Sequence, residues 1–235
     1  MLILVANSFN ASKFGGTWQG FSLVWYQALL HDRAIWRALK VTLWVASSAT
    51  LVSSGLGTLA ALALHRYRSR LQRLHQVLVY APLVVPDILV GISLLLFFVA
   101  LGIQLSFWTI FLAHTTFCMS YVAMVVLARL QDFDHAVLEA AQDLGANSFV
   151  VATRILIPLI APGILSGALL AFTLSIDDYV ITFFVAGPGS TTLPIHIYSM
   201  IKRGNMPLIN ALSTIMITIT FVSVWTSQHL VARRK

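Results

Sequence analysis

Charge is the scarcest commodity in this sequence. Of 235 residues, 10% are Asp, Glu, Lys or Arg while 58% are hydrophobic, against about a quarter charged in an average soluble chain. So few ionic side chains cannot cover the surface of a water-soluble enzyme, and so apolar a chain does not stay disordered. Cysteine is almost missing: Cys118 stands alone in an apolar run, which excludes an intrachain disulfide and suits a buried packing role. None of the apolar runs alternates with polar residues at strand spacing, so a transmembrane barrel is excluded. Residues 1–6 are too short for a signal peptide and follow no basic n-region. A phosphate-binding G-x-x-x-x-G-K-[ST] loop is also lacking. Gly187-Pro188-Gly189-Ser190-Thr191 has no lysine, and Gly55-x-Gly57-x-x-Ala60 lies in an uncharged run with no strand before it.

What is present is long apolar runs. A helix rises about 1.5 Å per residue, so about 20 apolar residues cross a hydrocarbon core of about 30 Å. Residues 41–64, 77–101, 103–128 and 208–232 meet this, with Asp87 the one charge among them. Residues 155–176 are uncharged after Arg154, and apolar character continues past Asp177 and Asp178 to 186. With a cytoplasmic loop over 131–158, that span is placed at 159–186. The expectation is an all-α polytopic membrane protein, a single transmembrane domain over 1–235 in contact with lipid.

Fifteen Lys and Arg against eight Asp and Glu give a net charge of +7. In a membrane chain this is flanking charge rather than a nucleic-acid footprint. Arg66, Arg68, Arg70, Arg73, Arg129, Arg154, Arg233, Arg234 and Lys235 fall on one side, and Lys13, Arg33, Arg37, Lys40, Lys202 and Arg203 on the other. The richer side, with the tight cluster at 66–73, is read as cytoplasmic, which puts the C-terminus inside. Residues 7–40 are then outside, with only 1–6 as an apolar stub before them. The chain is therefore expected to carry a truncated first span and five full ones.

The segment 131–158 reads as two short helices. Asp132 or Asp134 caps the first, which runs to Gly145; Asn147 or Ser148 caps the second, which reaches Ile157 before Pro158. Val137, Ala141 and Leu144 share one face, and Glu139 and Asp143 form an i,i+4 acidic pair. By periodicity alone this is either an ordinary amphipathic loop or a plug for a groove on another protein. The residues say more: Glu139-Ala140-Ala141, three residues, Gly145, nine residues, then Ile155-x-Ile157-Pro158. This resembles the EAA loop of ABC importer permeases, EAA-x3-G-x9-I-x-L-P, with Ile157 in place of Leu.

Asn7-Ser8-Phe9-Asn10, Trp18-Gln19-Gly20-Phe21, Pro86-Asp87-Ile88, Leu101-Gly102-Ile103-Gln104-Leu105, Phe172-Thr173-Leu174-Ser175-Ile176-Asp177-Asp178 and Ile197-Tyr198-Ser199-Met200 extend the likeness over nearly the whole chain. They resemble the spermidine/putrescine branch of these permeases. The resemblance implies the MetI-like ABC permease fold in a bacterial inner membrane. It also implies a second permease subunit, a dimer of ATPase subunits and an extracytoplasmic polyamine-binding protein. No cofactor belongs to this chain; ATP and Mg are expected on the ATPase. Glu139, Ala140, Ala141 and Gly145 are then the coupling residues.

An ionised side chain at mid-membrane costs roughly 2.5–3.5 kcal/mol, so three acids cost on the order of 8–10 kcal/mol. Asp87, Asp177 and Asp178 must face water, a partner charge or a passing cation. Asp87 is about 15 Å deep by helix rise, beside Pro82 and Pro86, which suit a kink. Acids without basic partners in their spans fit a cation pathway, to which the resemblance adds Ser175 and Trp25. The alternatives are that Asp177 or Asp178 caps a helix break, or that Asp87 is held neutral. Gly163, Gly167, Ala171 and Ser175 recur every four residues, as a seam with the partner permease or as internal packing. His114 is either a structural histidine or a ligand or proton carrier. The rival to an ABC permease is an ion-coupled secondary transporter of an organic cation. An intramembrane enzyme finds no Ser/His or paired-Asp spacing within the spans.

Overall fold

The computed structural model describes residues 1–12, 17–67, 70–131 and 136–232, with the backbone alone for 70, 219–220 and 222–232. The described residues are helical almost throughout. In chain order the helices are α1 (Leu2–Ser8), α2 (Val24–His31), α3 (Arg33–Arg66), α4 (Arg70–Val84), α5 (Asp87–Ala100), α6 (Phe107–Gln131), α7 (Ala136–Asp143), α8 (Ser148–Asp177), α9 (Val180–Val185), α10 (Leu193–Lys202) and α11 (Met206–Ala232). Among the described residues three helices, α3, α6 and α8, are long and apolar enough to cross a membrane. The proposed caps Asp132 and Asp134, and the charges Lys13, Arg68, Arg233, Arg234 and Lys235, lie outside the described residues.

Several apolar runs differ from straight spans. Residues 77–101 do not form one rod: α4 and α5 meet at 114° and become a fourth crossing only as a bent pair. Pro86 is the cause. It has no N–H, it forces the preceding residue out of the helical region, and its own ψ of 138° is extended. The run 103–128 becomes helical only at Phe107, because Gly102 stops α5 with φ of +69°. There Ile103 N–H donates to Phe98 O at 2.9 Å and Gly102 N–H to Val99 O at 3.0 Å, the paired bonds of a Schellman stop. The run 159–186 divides after Asp177 and resumes as α9. Of residues 1–6, all but Met1 fall in the seven-residue helix α1, and 208–232 lie within α11.

The chain forms two compact units, Lys40–Thr192 and Met1–Leu39 with Leu193–Lys235. In the larger, α6 is the central helix: Ile110, Ala113, Phe117, Cys118, Val122, Val126 and Leu130 are buried in one cluster with residues of α3, α5, α8 and α9. Lipid gives helices little hydrophobic reason to associate, so close packing of small residues has to do it. The stripe Gly163, Gly167, Ala171, Ser175 supplies this against α6. A Cβ on Gly163 would lie 2.9 Å from Arg129 Cβ, and one on Gly167 would lie 3.3 Å from Val122 Cα. Further along, Cys118 Sγ donates to Ala171 O at 3.4 Å and Ser175 meets His114. Of the two readings left open by spacing, the stripe is internal packing.

The smaller unit is organised by Asn10, which is 2% exposed. Its Oδ1 accepts from the N–H groups of Ser12 and Gln19, and its Nδ2 donates to Thr17 O. A single bridge joins Asn10 to Phe21, and Phe9 stacks on Phe21 at 5.2 Å. The two short motifs Asn7–Asn10 and Trp18–Phe21 thus fold onto each other.

Candidate functional site: an elbow and a helix break

The elbow begins with α7. Glu139 and Ala140 are exposed and Ala141 is half-buried. Gly145 has φ of +87°, a conformation that would strain any L side chain. Gly145 N–H donates to Gln142 O at 2.8 Å and Ala146 N–H to Ala141 O at 3.0 Å, so the helix is stopped by the same paired bonds as α5. Two residues on, Asn147 Oδ1 accepts from Val150 N–H at 2.9 Å and starts α8. The apolar face differs from the expected Val137, Ala141 and Leu144. Leu138 turns inward, lining a cleft of about 530 Å³ with Leu62, His65, Arg66, Leu130, Ala152 and Leu156. Leu144 and Phe149 point outward, 89% and 75% exposed.

The second elbow helix was expected to end at Ile157; instead it continues unbroken through Pro158 to Asp177. The turn before the proline is a π-helix, Val151–Leu156. Its wider i→i+5 ladder makes room for a ring that would clash with the carbonyl four residues back, and spares the N–H that proline lacks. The second elbow helix is therefore continuous with a membrane span.

At the far end of α8 the structure gathers residues well separated in sequence. His114 of α6 is 1% exposed. Its Nδ1 lies 2.7 Å from Ser175 Oγ and its Nε2 2.9 Å from Thr182 Oγ1 and 3.4 Å from Asp178 Oδ2. Asp178 caps α9: Oδ1 accepts from Ile181 N–H at 3.3 Å, and Oδ2 accepts from Thr182 N–H at 2.8 Å and Thr182 Oγ1 at 2.6 Å. Ser175, expected on the pathway, is 3% exposed and faces the histidine. Thr182 and the role of His114 as a hub were missed by sequence reasoning. Ser175 and Thr182 lie 61 and 68 residues from His114, and the four-residue stripe on α8 is the one hint at the register.

The remaining acids behave differently. Asp87 is exposed at the first position of α5, where the helix dipole favours a negative charge. Asp177 is exposed at the last position of α8, where the dipole opposes it, so helix stability does not account for that carboxylate. Helices α5 and α9 pack together, with Gly91 against Phe184 and Ile181. Trp25 belongs to the other unit. There its Nε1 donates to Asn10 O at 2.8 Å, and its ring lines a cleft of about 630 Å³ with Asp32, His196, Arg203 and Asn205. Among the described residues, no group of three His, Cys, Asp or Glu side chains could hold a metal ion.

An elbow of this pattern, on a bundle with a broken membrane helix, can be compared with known proteins. The profile described as binding-protein-dependent transport system inner membrane component matches residues 53–235. The chain belongs to that family. The spermidine/putrescine transport system permease protein PotC of Escherichia coli (strain K12) is 43% identical over 235 residues, covering 100% of this chain and 89% of that protein. The putrescine transport system permease protein PotI of the same strain is 45% identical over 241 residues, covering 99% and 85%. Among solved structures, a bacterial ABC transporter involved in import of the acidic polysaccharide alginate gives a TM-score of 0.76 at 17% identity, covering 99% of this chain and 88% of that one. The MetNI methionine ABC transporter gives 0.67 at 16%, covering 89% and 98%. At such identities these structures speak for the fold alone, the MetI-like ABC permease fold. A permease of this family is a multi-pass membrane subunit that does no covalent chemistry, and ATP hydrolysis belongs to a separate subunit.

Proposed function

We propose that this chain is one of two membrane subunits of an ATP-driven importer of polyamines such as spermidine and putrescine. Its companions are a PotB-like second permease, a PotA-like ATPase dimer that binds ATP and Mg, and a PotD-like binding protein that delivers cargo from outside. The likeness to PotC and PotI over the whole chain supports the cargo class. The C-terminus and the elbow lie in the cytoplasm, on the side richer in Arg and Lys.

The observation that carries the mechanism is the continuity of α8. Thirty residues of unbroken helix, about 45 Å by helix rise, connect the elbow to Asp177. Glu139, Ala140, Ala141 and the Gly145 stop present α7, with outward Leu144, to a groove on the ATPase. Closure of the ATPase dimer then moves α8 as a rigid rod and shifts Asp177 at its tip. Asp87 and Asp177 each offer protonated amines a carboxylate, and in the other unit the Trp25 ring offers a cation–π face.

The test is uptake of radiolabelled spermidine by proteoliposomes holding the assembled complex. Uptake should require ATP and the loaded binding protein. Uptake by this chain alone, driven by a proton or sodium gradient, would make it a secondary carrier and sink the proposal.

A further inference from the structure

The bonds around His114 have a direction that follows from counting protons. The Thr182 hydroxyl has a single proton and donates it to Asp178 Oδ2 at 2.6 Å. Toward His114 Nε2, 2.9 Å away, the same oxygen can only accept, so Nε2 carries a hydrogen. In the neutral ring Nδ1 is then bare and accepts the Ser175 hydroxyl proton at 2.7 Å. For a ring with one proton, one chain of donation runs from Ser175 through His114 and Thr182 to Asp178. It uses both ring nitrogens and ties both sides of the break to α6. Between α8 and α9 the helical backbone is interrupted: Asp178 is extended, with φ of −62° and ψ of 123°. Ser175 is buried and the Asp178 side chain is 10% exposed, so neither is placed to meet a cargo. Asp177, one residue away, is exposed.

We infer that His114 is a positioning residue that clamps the break between α8 and α9. Ser175 and Asp178 serve transport through this clamp, and Asp177 is the carboxylate of the break that meets a cationic cargo. The inference rests on the polyamine permease reading. A buried network with every member satisfied specifies geometry rather than adding much stability. Losing one member leaves the others buried and unpaired, which is costly. The clamp therefore sets the rate at which α8 and α9 move together, while Asp177 sets how tightly cargo is held.

The experiment uses the assembled complex in proteoliposomes, with spermidine uptake measured over a range of loaded binding protein and abundance checked for each variant. His114→Ala, Ser175→Ala and Thr182→Val should each lower the maximal rate about tenfold and leave KM within about twofold. Thr182→Ser keeps the hydroxyl and should retain the rate within about twofold. His114→Ala combined with Ser175→Ala should be no slower than the slower single variant, because both break one chain. Asp177→Asn should instead raise KM about tenfold. Nitrogen-15 NMR of histidine-labelled complex should show His114 protonated at Nε2 and bare at Nδ1, with Nδ1 moving in Ser175→Ala.

Two results overturn the clamp: Ser175→Ala raising KM as Asp177→Asn does while His114→Ala leaves the rate unchanged, or a proton on Nδ1 in place of Nε2. If the wild-type complex takes up no polyamine, the permease reading fails separately. The clamp is then judged by the NMR signal and by a spin-label distance across the break, which Thr182→Val must change and Thr182→Ser must not.

Discussion

The elbow and the break lie at opposite ends of α8, and each inverts what folding alone would favour. At the elbow, apolar Leu144 and Phe149 are 89% and 75% exposed, and Glu139 is exposed as well. At the break, polar His114, Ser175 and Thr182 are buried within one chain of hydrogen bonds. An exposed apolar face on a tight helix stop is unfinished surface, of the kind that marks contact with another protein or with the membrane. A buried polar cluster with its hydrogen bonds made is complete without any partner. The elbow should therefore be sensitive to what docks on it and tolerant within the isolated chain, and the break the reverse.

The sharpest way to break this contrast is to enlarge one small residue on the buried seam that leads to the break and one at the elbow. Gly167→Val pushes a branched side chain into Val122 on the α6 seam, and should destabilise the isolated permease by about 1–3 kcal/mol, read as a lower melting temperature in detergent. The matching change Ala140→Val, on an exposed position, should alter stability by less than about 0.5 kcal/mol. Equal losses at both sites would erase the distinction. A second test replaces the outward face: Leu144→Asp should leave melting unchanged and weaken association with the ATPase about tenfold, measured by co-purification and by ATPase stimulation. A normal complex would mean that α7 docks by another face.

The smallest effect compares two histidines. His114 has both nitrogens committed, whereas His196 lines the open cleft with Asp32 and Arg203. Partial burial pulls the His196 imidazole below its usual range, Asp32 opposing and Arg203 adding to the shift. The unfolded chain then binds the proton more readily than the folded one. Stability from this group is present above the ordinary histidine value and declines as pH falls through the lowered one. Melting measured from pH 8 to pH 5 should show this shallow slope, and His196→Gln should flatten it.

Hydropathy located the apolar runs because lipid imposes their length whatever the detailed packing. The positions of the breaks are another matter. Pro86 does split its run, while Pro158 and Pro162 pass through a continuous helix; the same residue type gives opposite outcomes because a π turn relieves one site. Composition carries no trace of that adjustment. The Gly145 stop and the Asn147 cap were readable, since each depends on local chemistry a few residues long. Ser175 was placed on the pathway by resemblance, and its burial depends on which way α8 faces α6. The stripe Gly163, Gly167, Ala171 and Ser175 contained that information once a partner helix was known, but a stripe does not name its partner.

The widened turn at Val151–Leu156 has one more consequence. A π segment is an α-helix holding a spare residue, so the orientation of everything beyond it is indexed to that surplus. Excising a single residue there would let the coil rewind while both flanks kept their facing. The same excision beyond Gly167 would swivel the tip by about 100° and carry Ser175 off its histidine. The span thus has its slack gathered at the elbow end, where a change in length is absorbed before it can turn the far carboxylate.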